Sequence, residues 1–118
     1  MTISRLAPGQ RFCRAVVHGG TVYLAGMTAD DLSDGTAGQT RAVLAKIDEH
    51  LKLAGSSKAG LLSATVWLRD IADFDLMNQA WDEWLDRAAM PVRATAEARL
   101  AGDGYRVEIM VVAALDQA

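Results

Sequence analysis

A single cysteine, Cys13, stands among the 118 residues, so no intrachain disulfide can form and a reducing cytoplasm is the natural compartment. Histidine is almost as scarce. His18 and His50 are the only two, with no His-x-His or Cys-x-x-Cys pairing, which leaves no zinc-ligand pattern. Apolar runs stop far short of the roughly 20 residues that cross a bilayer. The opening Met-Thr-Ile-Ser-Arg-Leu-Ala-Pro lacks the apolar stretch of a signal peptide. A basic excess is missing too: 12 Lys and Arg against 15 Asp and Glu give a net charge of −3. That balance argues against nucleic acid or an anionic membrane as partner, since both need a basic patch.

What is present suits one domain, residues 1–118, with 51% hydrophobic residues to fill a single core. Ile3–Leu6 reads as a short strand ended by Pro8-Gly9. Ala15–His18 and Thr21–Ala25 are β-rich runs flanking Gly19-Gly20, a pair suited to the positive φ angles of a hairpin turn. Residues 30–35 form an acidic loop without the ligand spacing of an EF-hand. Thr36 and Gln39 have the spacing of a capping box. Val43, Leu44, Ile47, Leu51 and Ala54 follow at helical intervals, and Gly55 sits where a C-cap glycine belongs. Leu61–Leu68 reads as a strand. Asp73 is placed to cap a second helix striped with Phe74, Met77, Trp81, Trp84 and Leu85, where both tryptophans read as core. Strands Val92–Leu100 and Tyr105–Ala114 close the chain. The order β-β-β-α-β-α-β-β predicts an α+β domain of about six strands with both helices on one face. The apolar last strands then need cover on the other face, so a homo-oligomer is expected.

The segment Pro91-Val92-Arg93-Ala94-Thr95-Ala96-Glu97 carries the strongest functional signal. Polar and small residues alternate with period two, predicting a strand with a packed alanine face and an available face that begins with Arg93. A guanidinium grips a planar carboxylate through two parallel hydrogen bonds. If the turn 101–104 pairs Leu100 with Tyr105, Glu97 lies opposite Glu108 and Arg93 opposite Val112. Arg93, Glu97 and Glu108 then share one face, with Arg93 and Glu108 about 13 Å apart along the sheet. Facing carboxylates repel unless one is protonated, and a carboxylate of raised pKa is the usual general acid–base. The alternative is a rim pairing of Glu108 with Arg106 or Arg99.

Pro-x-Arg-x-x-x-Glu followed by Val-Glu-Ile and a Val/Ala-rich last strand resembles the RidA (YjgF-like) family of reactive-intermediate deaminases. The likeness extends through Tyr23-Leu24-Ala25-Gly26, Gln39-Thr40, Trp67-Leu68 with Asp70, and Asp73-Phe74 to Asn78. It implies a chorismate-mutase-like fold, a homotrimer with ligand clefts between subunits, and hydrolysis of enamines and imines such as 2-aminoacrylate to 2-oxo acids and ammonia. By this resemblance Arg93 binds the substrate carboxylate, Glu108 serves the attacking water, and Asn78 lies near the cleft. Phe12, Ala25, Gly26 and Thr95 also match cleft positions. Phe12 stands where many members have tyrosine, Thr95 where cysteine is common, and Ala25 where serine is frequent. Imine hydrolysis needs a held carboxylate, a positioned water and a proton shuttle, so no metal or cofactor is expected. Cys13 reads as a small apolar neighbour of the cleft. The competing reading is a non-catalytic module that binds a 2-oxo acid between subunits. RNA cleavage, proposed for some similar proteins, fits poorly with the acidic balance.

Overall fold

The computed structural model describes residues 1–116 and opens with three antiparallel strands, β1 (Ser4–Pro8), β2 (Cys13–His18) and β3 (Thr21–Leu24). Gly19 and Gly20 turn β2 into β3 at φ 60° and 82°, the left-handed angles that a two-residue hairpin loop requires. Helix α1 (Thr36–Ala54) follows, then β4 (Leu61–Leu68), α2 (Phe74–Trp84), β5 (Val92–Glu97) and β6 (Val107–Ala114). The six strands form one sheet in the order β1-β2-β3-β6-β4-β5. Both helices lie on one face, as the sequence predicts. With a shortest dimension of 20 Å the molecule is two layers thick, so the second face of the sheet has no cover among the described residues.

The core lies between α1 and the inner face of the sheet. Val43, Leu44, Ile47 and Leu51 meet Val107, Ile109, Val111 and Ala113, all essentially inaccessible to solvent. Each of these valines, leucines and isoleucines contributes about 1.5–3 kcal/mol by leaving water. Gly55 ends α1 at φ 87°; its amide reaches the Lys52 carbonyl and that of Ser56 the Leu51 carbonyl, the pairing of a glycine C-cap.

Three local expectations are corrected. The Thr36/Gln39 capping box does not form: Gly35 is the N-cap, and no side chain caps the helix. Thr36 Oγ1 instead donates to Asp73 Oδ2 at 2.7 Å, tying the starts of the two helices together. Asp73 holds the N-cap position of α2 as expected, but its side chain makes no capping bond. The chain enters through a 3-10 turn, Ile71–Asp73, and Asp70 Oδ1 accepts from the Ala72 amide. The helix ends at Trp84, leaving Leu85 beyond it, and buries Met77, Ala80 and Trp81 while Phe74 stays 39% exposed.

The third correction bears on function. β5 and β6 are not a hairpin. β4 lies between them, parallel to β5 and antiparallel to β6, so α2 is the crossover that a parallel pair requires. Both strands are shorter than predicted, and residues 98–106 step past the end of β4. Buried Gln39 accounts for that path. Its amide nitrogen donates to the carbonyls of Asp34 and Gly104, and its oxygen accepts from the Arg106 amide. One side chain on α1 thereby fixes where β6 begins.

Candidate functional site

Inserting β4 separates the two groups that a hairpin would have joined. Arg93 pairs with Ala64, Thr95 with Val66 and Glu97 with Leu68; Ala64, Val66 and Leu68 are all buried beneath the helices. Arg93 and Thr95 therefore face α2. Ala94 and Ala96 point to the open side, the reverse of a packed alanine face with Arg93 on the available one. Glu108 alternates with buried Val107 and Ile109, which puts it on the open side, opposite Trp67 and not Glu97. Arg93 and Glu108 thus belong to opposite faces of one sheet.

On the helix side, α2 builds a seat for Arg93. Phe74, Asn78 and Trp81 fall at i, i+4 and i+7, one stripe of the helix. The guanidinium carbon lies 5.0 Å from the Trp81 ring centroid and 5.8 Å from that of Phe74, both within cation–π range. Nη1 donates to Asn78 Oδ1 at 2.9 Å and approaches Met77 Sδ at 3.8 Å. Burial pushes the guanidinium below its ordinary pKa, with Asp82 opposing, yet an arginine stays charged at any physiological pH. Among the described residues Nε and Nη2 make no hydrogen bond and no carboxylate lies within ion-pair distance. Thr95 Oγ1, two residues along, is shielded from solvent and has no hydrogen-bond partner among the described residues.

On the open side, Glu108 lines a hollow of about 240 Å³ with Trp67, Ala98, Arg99, Leu100 and Ala101. Met27 and Ile109 exchange both backbone hydrogen bonds, which brings Gly26 beside the carboxylate. A Cβ at position 26 would collide with Glu108 Oε2, so glycine is what lets the backbone approach. Ala25 precedes it, its amide bonded to the Arg14 carbonyl. Phe12 lies in the β1–β2 connection, 55% exposed, with the Arg14 guanidinium 5.0 Å from its ring centroid.

Of the residues expected to act together, the fold thus joins Arg93 with Asn78 and Thr95, and separately Glu108 with Gly26 and Ala25. Phe74 and Trp81 were legible only as core; their signal was the helical spacing to Asn78. Trp67 had none, because its place beside Glu108 depends on the strand order.

The family model described as Endoribonuclease L-PSP matches residues 2–115. The chain belongs to the YjgF/RidA family. Within it, RutC family protein YoaB of Escherichia coli K12 is 41% identical over 115 residues, covering 98% of this chain and 100% of that one. A Bos taurus relative named 2-iminobutanoate/2-iminopropanoate deaminase is 31% identical over 108 residues, 86% of this chain and 78% of its own. The crystal structure of a YjgF-family member from Neisseria meningitidis matches at a TM-score of 0.97 and 40% identity, covering 100% and 98% of the two chains. That likeness bears out the expected α+β fold of a YjgF/RidA-family protein.

Proposed function

We propose that the protein hydrolyses small 2-imino acids, and the enamines that tautomerise to them, to 2-oxo acids and ammonia. The observation that carries this reading is the Arg93 guanidinium, held on three sides by Phe74, Trp81 and Asn78 with its carboxylate-binding edge unpaired. The name of the bovine relative gives the reaction class. Because Arg93 and Glu108 occupy opposite faces, we infer that a working site forms between copies of the chain in a homotrimer. Arg93 of one copy then holds the substrate carboxylate against Glu108 and Gly26 of its neighbour.

In that arrangement the protonated C=N carbon is attacked by water. Glu108 takes a proton from the water as the C–O bond forms, giving a carbinolamine, and returns it to nitrogen. The C–N bond breaks, ammonia leaves with the bonding pair, and the hydroxyl proton is lost to give the C=O of the 2-oxo acid. The chain's part is to fix the carboxylate, hold a water and move one proton. Enclosure between subunits strengthens the Arg–carboxylate contact by excluding water.

The test generates imino acids with an amino-acid oxidase and follows 2-oxo acid release in the presence of the protein. Arg93→Ala is expected to cut kcat/KM at least 100-fold, the loss of a charge-assisted bidentate contact. Undiminished turnover by that variant would sink the reading. Ala25 and Thr95, where hydroxyl and thiol groups are frequent in the family resemblance, favour a second reading, a 2-oxo acid binding module. Tight carboxylate binding without acceleration of imine hydrolysis would select it.

A further inference from the structure

The edge of the Glu108 hollow breaks a rule of sheet construction. Beyond the Leu68–Val107 pair, the Arg69 amide donates to the Arg106 carbonyl at 3.0 Å, so two arginines stand as cross-strand neighbours. Like charges in that relation destabilise a sheet. Alternation from buried Leu68 and Val107 puts both on the open face with Trp67 and Glu108, and all three arginines at this end, Arg69, Arg99 and Arg106, are exposed. Arg99 lines the hollow itself, beside Glu108. The two ion pairs among the described residues, Arg41–Glu83 and Lys46–Asp30, involve none of the three. Nearby acids are engaged by backbone amides: Asp70 Oδ1 accepts from Ala72 and Glu97 Oε1 from Ile71. Arg99 at the hollow and the adjoining Arg69 and Arg106 thus form a basic end of the sheet in which, among the described residues, no carboxylate pairs with a guanidinium.

We propose that this rim is a subsite for a second substrate carboxylate, and that the preferred imino acids are dicarboxylic, carrying an acidic side chain. The proposal deepens the imine-hydrolysis reading and rests on it for the place of the reacting carbon beside Glu108. A hollow of about 240 Å³ lies below the roughly 300–1,000 Å³ of typical ligand pockets, which selects a small metabolite. A polyanion would need a basic stripe along its backbone, which a cluster of three does not provide. Arg106 immediately precedes β6 and lies two residues from Glu108, about 7 Å along an extended chain. That separation suits a side chain of one or two methylenes ending in a carboxylate. The anion would also relieve the Arg69–Arg106 repulsion, so the mismatch in the empty sheet becomes binding energy in the occupied one.

Two measurements test it. In the coupled assay, imino acids made from aspartate and glutamate are compared with those made from alanine and leucine. The acidic pair is expected to be preferred at least tenfold in kcat/KM, and Arg99→Gln/Arg106→Gln to lower that preference about tenfold, mainly through KM. Separately, titration calorimetry with 2-oxoglutarate and 2-oxobutanoate reads the subsite without turnover, with tighter binding expected for 2-oxoglutarate and the difference lost in the double variant. Turnover with no acidic preference, or equal binding of the two oxo acids, overturns the subsite. Absent turnover with selective 2-oxoglutarate binding overturns the deaminase reading and retains the subsite.

Discussion

Asn78 determines how Arg93 is presented, because its side-chain oxygen holds Nη1 and leaves the Nε–Nη2 edge for a ligand. Removing that oxygen frees the guanidinium to rotate over its aromatic shelf. Asn78→Ala is expected to raise KM about tenfold with a smaller change in kcat, the worth of one hydrogen bond to a charged group. Asn78→Asp should be worse, since its carboxylate would compete with the substrate for the same cation. Steady-state kinetics on both variants checks the order. At this scale the sequence was informative. Pro91 and the period-two pattern marked Arg93, and the family likeness marked Asn78. That the two touch was not legible, because their contact crosses from a strand to a helix. Phe74 and Trp81 were hidden by chemistry, since an aromatic ring that seats a cation looks like one that fills a core.

Among the elements, the close approach of Gly26 to Glu108 carries the sharpest consequence. Gly26→Ala would drive a methyl group into the carboxylate, which must swing away because the Met27–Ile109 bridge fixes the backbone. A tenfold or greater fall in kcat is expected with the melting temperature little changed, since Glu108 is a half-buried side chain on the open face. Kinetics together with thermal melts distinguishes this from general destabilisation. The elements themselves followed from local pattern: the Gly19-Gly20 turn, the α1 stripe and its Gly55 cap all lie where spacing puts them. Pairing of the last strands did not. Ala101-Gly102-Asp103-Gly104 has ordinary turn chemistry, and nothing local to it shows whether the flanking strands join each other or pass on either side of a third. Gln39, more than sixty residues away, helps decide that through its contacts with Gly104 and Arg106. The same long-range use of Gln39 explains why a capping-box spacing formed no capping box.

For the whole molecule, the open face is the dominant fact. Tyr23, Val92 and Met110 lie on it at 48%, 74% and 37% exposure, with Ala94 and Ala96 between the strands' larger side chains. A sheet face so apolar is stabilised by burial against another surface, which is the physical ground for the proposed homotrimer. The sequence conveyed the need for cover through the Val- and Ala-rich last strands. It misplaced the cleft residues relative to that cover, since one exchange in strand order moved Glu108 to the far side of the sheet from Arg93.

That two-sidedness turns a structural question into one of inheritance. An Arg93→Ala subunit keeps an intact Glu108 face, and a Glu108→Gln subunit keeps an intact Arg93 seat. Each is expected to be inactive as a pure assembly. Unfolded together and refolded as a mixture, they should regain measurable imine hydrolysis, because the sound Arg93 seat of one variant meets the sound Glu108 of the other. A gene carrying either lesion would then be rescued in a cell by a gene carrying the other, and never by a second copy of itself.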